Sequence, residues 1–322
     1  MSSDADLLAD RRNLRRKLSL WRLLALLAVV VMVVGGALAL TGNVPGGVSQ
    51  AHIARVTMSG FISGDRRTLD MLSSLETSRA SAVLLRIDSP GGTVTGSEAI
   101  YEAVRQLAGK KPVVAVVDGV AASGGYIAAL AGERIVARQT SPVGSIGVIA
   151  QVPNVARLLD MIGVKVEISR SSPLKANPSG LEPTSPEAAA EMARIVADNF
   201  EWFRTLVAER RKLSPAELAA VADGRVHSGR RAVALKLVDE LGGEREAIAW
   251  LEREKGVAAS LPVRDWRPRS RSSSFGPWAL AASLARAAGF DQFAAVLGRA
   301  AEQPAGVRLD APLALWQPFG EK

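Results

Sequence analysis

The chain has 322 residues and is 48% hydrophobic, which is enough to bury a substantial core and excludes an intrinsically disordered polymer. It contains no cysteine, which removes disulfides, thiol nucleophiles and cysteine-ligated metals together, and its two histidines, His52 and His227, argue against a multi-histidine metal centre. The formal net charge of +8 would suit nucleic acid only if the basic residues shared one folded surface, and they cluster at the two ends instead.

The first basic cluster, RRNLRRKLSLWR, is followed by eighteen uncharged residues from Leu23 to Leu40. At about 1.5 Å per helical residue this run covers roughly 27 Å, close to the hydrocarbon thickness of a bilayer. It reads as an uncleaved transmembrane anchor. The rival is a cleaved signal peptide, for which Ala37-Leu38-Ala39 resembles a processing site, but such a segment has an apolar core of only about 7–15 residues. Basic residues ahead of the span place the N-terminus in the cytoplasm and everything after about Thr41 outside, on the periplasmic or extracytoplasmic face of the inner membrane. The expected organisation is a basic cytoplasmic segment (1–22), a transmembrane anchor (23–40), a linker (41–52), a compact domain (53–255), and a basic linker with an amphipathic tail (256–322).

From His52 onward strands and helices alternate, predicting an α/β fold. HIARVTMSG reads as a strand, Arg66 to Leu75 as a helix, and Ala82 to Asp88 as a buried strand running into SPGG. The helix TGSEAIYEAVRQLAG opens on a capping box, Thr95 with Glu98, and KPVVAVVDG is a second buried strand. ASGGYIAALAG turns into a helix at its serine; RIVAR, VGSIGVIA and VKVEIS are further expected strands, with NVARLLDMIG helical between them. Helices are expected from Ser185 to Arg211 and Ser214 to Ala222, each with proline in its first turn, and the compact part is expected to end near Lys255. Beyond it, VRDWRPRSRSSS reads as a flexible linker, and Leu280, Leu284, Phe290, Phe293 and Leu297 share one face of a further helix, to lie on the membrane, on a partner or on its own domain. No phosphate-binding loop, dinucleotide fingerprint or internal repeat is present.

The stretch DGVAASGGY centres on Ser123, flanked by alanines and glycines. Serine is a poor nucleophile without a base and a group to receive the developing oxyanion. Neither histidine has a carboxylate-orienting context, and each reads as a surface or structural residue. A lysine removed from water can serve as base. Of the nine lysines, Lys175 in SRSSPLKANPSG stands out for its loop setting among small and apolar residues, although composition alone leaves an ordinary solvated lysine open. Ser172 to Lys175 also fits a serine-x-x-lysine pattern, but that pattern belongs at a helix start, and Pro178 and Gly180 follow too closely.

Taken in order, RIDSPGG, VAASGGY, GSIGV, SSPLKANPSG and ADGRVHSGRRAVALKLVDELGG resemble the signal peptide peptidase A (protease IV) family of membrane-bound serine peptidases over about Ile53 to Lys255. The resemblance implies a crotonase/Clp-like α/β fold of repeated strand-strand-helix units. It implies Ser123 as nucleophile, Lys175 as general base and Ser145 as the residue that orients Lys175. It also implies Gly92 and Gly124 as the backbone donors of the oxyanion hole. Neither glycine offers a side chain to obstruct a substrate carbonyl, and Gly124 falls at a helix start, where amides lack partners. The chain departs from the family pattern at Ile127, Val143 and the Ser172-Pro173 pair, which bears on side-chain preference more than on catalysis. A single catalytic copy implies a homo-oligomer, an eight-membered ring in which Ser123 of one protomer meets Lys175 of the next. The implied activity is endoproteolysis of cleaved signal peptides and other apolar peptides, with no metal, cofactor or nucleic acid. Alternatives are a non-catalytic membrane scaffold and a crotonase-type acyl-CoA enzyme, which would need a catalytic carboxylate pair and cytoplasmic access. The terminal LDAPLALWQPF, from Leu309 to Phe319, is extended and proline-bounded, either an unstructured end or a product-like strand for a neighbouring active site.

Overall fold

The computed structural model describes residues 21–22, 50–268 and 313–315. Among them no helix is long and apolar enough to cross a membrane, and the anchor expected at 23–40 falls outside them, as does the amphipathic stretch around Leu280 to Leu297. The fold below is that of the described residues from Ala51 onward, which belong to one compact unit.

Its strands are β1 (His52–Ile62), β2 (Ala80–Thr93), β3 (Val113–Ala122), β4 (Arg134–Ala137), β5 (Pro142–Gly144), β6 (Val226–Ser228), β7 (Glu240–Leu241), β8 (Val263–Trp266) and β9 (Leu313–Leu315). Its helices are α1 (Arg66–Glu76), α2 (Val94–Ala108), α3 (Gly124–Leu130), α4 (Ala156–Met161), α5 (Pro186–Arg211), α6 (Pro215–Val221), α7 (Gly229–Ala234) and α8 (Glu244–Lys255). The main sheet runs in the order β6-β5-β3-β2-β1-β8; β4 joins β3 and β7, and β9 lies against β2. This mixed α/β sheet agrees with the expected class.

The three long central strands pair in parallel, and their apolar runs scarcely alternate with polar residues because both faces are covered. Val83, Leu85 and Ile87 join Val113, Ala115 and Val117 in the larger core, while Ala82 and Leu84 join Val114 and Val116 against Ala247, Trp250 and Leu251 of α8. Successive residues thus serve opposite faces, as the two-residue pleat requires.

β3 changes partner along its length. Val114 to Val117 pair with Arg134 to Ala137 of β4, whereas Ala121 and Ala122 pair with Val143 and Gly144 of β5. At the changeover the Asp118 carboxylate accepts from Arg86 Nε at 2.6 Å and from Arg138 Nη2 at 2.8 Å. One step on, Asp88 Oδ1 accepts the Val120 amide at 3.1 Å. A Cβ on Gly119 would lie 2.0 Å from that same oxygen, so only glycine lets the carboxylate approach. The fork brings the GSIGV segment beside the end of β3, where Ser123 follows.

Four local expectations are corrected. The N-cap of α2 is Thr93, whose Oγ1 accepts the Gly96 amide at 3.0 Å; Thr95 and Glu98 lie inside the helix because β2 runs on through both glycines before turning. VGSIGVIA contributes only β5, whose two edges are already taken by β3 and β6. VKVEIS forms no strand, and its Val164, Val166 and Ile168 stay exposed, an apolar alternation with no partner strand among the described residues. The folded part does not stop at Lys255: Val263–Trp266 adds a parallel edge strand to β1, and Trp266 stacks on buried His52 with Nε1 donating to Nε2 at 3.0 Å.

Candidate active site

Ser123 sits between the end of β3 and the first residue of α3, at φ 51° and ψ −118°. This is a conformation that turns normally leave to glycine. Its amide donates to the Gly144 carbonyl at 2.8 Å, and its carbonyl accepts from the Tyr126 and Ile127 amides at 2.9 and 3.0 Å. The backbone is thereby pinned to β5 on one side and to α3 on the other. The side chain is treated differently: Ser123 is only 1% exposed, yet Oγ has no hydrogen-bond partner among the described residues. A buried hydroxyl normally finds a partner, so one left without a partner calls for a specific explanation, of which a functional role is one. The next residue, Gly124, supplies the first amide of α3, which has no intrahelical acceptor.

The far end of α3 is capped by arginines. Arg210 donates from Nε to the Leu130 carbonyl and from Nη2 to the Gly132 carbonyl, both at 2.8 Å, and Arg105 Nη1 donates to the Ala131 carbonyl at 3.2 Å. Positive charge at a helix C-terminus complements its dipole. In its middle, Tyr126 is fully buried and its hydroxyl donates to the Leu237 carbonyl at 2.9 Å, with burial pushing the phenol pKa well up. Small residues elsewhere let this helix lie close to the sheet: a Cβ on Gly125 would meet the Ser89 carbonyl at 2.5 Å.

Gly92 lies in the last turn of β2, beside Ile62 of β1. A Cβ there would fall 1.8 Å from the Ile62 carbonyl oxygen, so the close approach of the two strands excludes any side chain. On its other edge Gly92 faces Ala314 of β9, which runs antiparallel to Gly91–Thr93. An extended segment thus lies along the strand that carries Gly92.

Ser145 follows β5 at φ 48°, buried, with its amide donating to the Arg225 carbonyl at 2.8 Å. It and Ser123 are brought together by the Ser123–Gly144 hydrogen bond. Lys175 is in a different setting. It lies in an exposed turn, closed by its own amide donating to the Ser172 carbonyl at 3.1 Å, and its ammonium makes no hydrogen bond or ion pair among the described residues. Within one chain, Lys175 therefore contacts neither Ser123 nor Ser145 by a hydrogen bond. The turn also disposes of the serine-x-x-lysine helix reading.

His52 and His227 are both buried, structural rather than surface residues. His227 pairs with Val143 across β5 and β6, its Nε2 has no partner among the described residues, and burial holds its pKa below the ordinary value with Arg231 acting in the same direction. Sequence reasoning passed over Ser89 and Asp88. Both lie in RIDSPGG, where the polar residues ahead of the glycines were the available signal. Among the described residues no cluster of three or more metal-ligating side chains occurs.

Residues 105–258 match peptidase family S49. The chain is 38% identical over 211 residues to a putative protease of Synechocystis, covering 65% of this chain and 76% of that protein. It is 36% identical over 191 residues to Protease 4 of Salmonella typhi, covering 59% of this chain and 31% of that protein. It is 32% identical over 219 residues to the chloroplastic serine protease SPPA of Arabidopsis thaliana, covering 68% of this chain and 32% of that protein. The long reach of these matches, and the placement of the motifs around Ser123, lead to one assignment: the chain belongs to peptidase family S49, the signal peptide peptidase A and protease 4 family of serine peptidases, and is a protease.

Proposed function

We propose that the protein is a membrane-anchored serine endopeptidase that cuts cleaved signal peptides and other apolar peptides through a Ser123–Lys175 dyad. The observation that carries the reading is Ser123 itself, a strained helix-capping residue with a buried, unpartnered Oγ next to the free first amide of α3. In this reading Oγ attacks the scissile carbonyl while Lys175 Nζ takes its proton. The Gly92 and Gly124 amides hold the oxyanion, and the proton passes to the leaving amine as the tetrahedral adduct collapses to an acyl-enzyme. Water, deprotonated by the same lysine, then releases the acyl group. Ser145 orients Lys175, and residues 23–40 hold the catalytic domain at the outer face of the membrane. The fold is taken as crotonase/Clp-like, a spiral of strand-strand-helix units.

Lys175 is supplied by a neighbouring protomer of an eight-membered ring. Two features support this: the lysine is exposed and has no hydrogen bond or ion pair among the described residues, and the segment that carries it, residues 149–175, also exposes Ile149, Val152, Leu158, Met161, Val164 and Leu174. An apolar patch of that kind marks an interaction surface. An amine enclosed by an interface sheds its proton more readily than one in water, so assembly would make the base competent. The strand β9 along Gly91–Thr93 supports binding of an extended peptide by strand addition.

The test is hydrolysis of a fluorogenic apolar peptide by the full chain in detergent. Wild type should cut, and Ser123→Ala and Lys175→Ala should each lose activity. Mixed assemblies of the two variants should recover part of it, because every interface that joins the two variants in the right order combines an intact serine with an intact lysine. An inactive but assembled wild type would favour a non-catalytic scaffold. Active Lys175→Ala would leave the serine with another base, and no recovery in verified mixed rings would remove the shared site.

A further inference from the structure

At Ser89 two irregularities converge. The β1–β2 ladder shifts register between Ser59 and Phe61, and the β2–β3 ladder shifts between Ile87 and Ser89. Such bulges turn a strand out of its regular pairing and recur beside active sites. Here they leave peptide groups that need new partners, and Ser89 takes up two of them. Its Oγ donates to the Gly60 carbonyl at 2.6 Å and accepts the Gly91 amide at 3.1 Å. Gly91 stands at φ +126°, a conformation closed to side chains, so the peptide leading into Gly92 is oriented through a flexible residue that needs external restraint. Ser89 is fully buried, and its carbonyl lies against Gly125 in the first turn of α3. One residue therefore touches the end of β1, the end of β2 that carries Gly92, and the helix that Ser123 caps.

We propose that Ser89 is a positioning residue that sets the Gly92 amide relative to the Gly124 amide and Ser123. The proposal rests on the reading of Gly92 and Gly124 as oxyanion donors. Ser89 touches no reacting atom; it acts by holding Gly91 at both its amide (3.1 Å) and its carbonyl (3.3 Å), the carbonyl being part of the Gly91–Gly92 peptide. A local turn around Gly91 alone would not need the hydrogen bond to Gly60, 29 residues distant in order and on another strand, and that bond ties the oxyanion segment to the sheet.

The experiment compares wild type, Ser89→Ala and Ser89→Cys as full chains in detergent. It measures kcat and KM on an apolar peptide, affinity for a peptide boronate that forms a tetrahedral adduct on Ser123, and affinity for the unreactive product peptide. Ser89→Ala is expected to lower kcat and boronate affinity together by about tenfold to a hundredfold, with KM and product affinity changed less than about threefold, because misplacing an oxyanion donor acts only on the tetrahedral state. Ser89→Cys keeps the size and a weak donor and acceptor, and is expected to fall between the two. A Ser89→Ala enzyme with wild-type kcat, or one that loses product and boronate affinity equally, overturns the positioning role. Wild type that binds the boronate without cutting peptides would instead defeat the reading of function on which the proposal rests.

Discussion

Replacing Ser123 separates the stability of the turn from its chemistry. Ser123→Ala removes a buried hydroxyl that has no partner, and leaving such a group unsatisfied costs about 1–3 kcal/mol. Stripping it away should stabilise the fold by about 1 kcal/mol, since alanine meets the same backbone strain. Ser123→Gly should go further. The conformation at φ 51° and ψ −118° costs a side-chain-bearing residue about 1–3 kcal/mol, whereas glycine enters it freely and gives back about 0.5–1 kcal/mol in unfolded-chain entropy. The glycine variant should therefore be about 0–2.5 kcal/mol more stable than the alanine variant, at about 2–4 °C in Tm per kcal/mol for a domain of this size. Thermal unfolding of the full chain in detergent, run beside the peptide assay, reads both effects: each variant inactive, each melting at or above wild type, glycine highest. Ser123→Ala melting several degrees below wild type would mean that Oγ carries a structural hydrogen bond. Ser123→Gly melting below Ser123→Ala would mean that the turn stores no strain. Either result would refute the view of Ser123 as a residue held ready at the expense of stability.

Other consequences follow from neighbouring residues. Gly92→Ala would press a Cβ to 1.8 Å from the Ile62 carbonyl, so the strands must part by more than 1 Å; activity should drop about a hundredfold with a lower Tm, and full activity would exclude Gly92 from the oxyanion site. Arg210→Ala unbinds two carbonyls at the end of α3 and should destabilise the fold by about 1.5–3 kcal/mol, measured by denaturant unfolding; an unchanged midpoint would make those hydrogen bonds incidental. His227 is held below its ordinary pKa of 6.5, so as pH falls the unfolded chain takes up this proton first. The stability due to its neutral form is complete above 6.5 and is lost below it, and His227→Phe should flatten the fall of Tm in that acid window, whereas parallel curves would acquit the residue. Deleting Leu309 to Lys322 removes β9 from Gly91–Thr93, so peptide turnover should rise through a lower KM; unchanged kinetics would show that this strand does not compete with substrate.

Much of the central architecture was legible because its signals are local. AVLLRI and PVVAVV announce strands covered on both faces, and Ser185 and Ser214 mark helix starts through hydroxyls that bond the Ala188 and Glu217 amides. VKVEIS shows the limit of such signals. Its alternation is that of a strand, but a strand needs a partner, and among the described residues Val164 to Ile168 pair with none and stay exposed. The opposite error arose at Val263–Trp266, where a basic, serine-rich neighbourhood suggested a linker while β1 had an open edge that four residues could fill.

The same division holds at the site. Ser123, Gly124, Gly92, Ser145 and Lys175 stand in motifs that residue order alone displays. By itself, then, the sequence determined the α/β class, the family and the positions at which to look. Only the tertiary structure decided that β3 forks so as to lay Gly144 against Ser123, that Gly92 has no room for a side chain, and that Ser89 ties three elements together. These depend on which backbone atoms approach one another from segments far apart in the chain, a matter of packing and register that no local pattern encodes. It also decided that Lys175 stands exposed, with no hydrogen bond or ion pair among the described residues, because whether a charged side chain meets its partner is settled by where the whole chain places it.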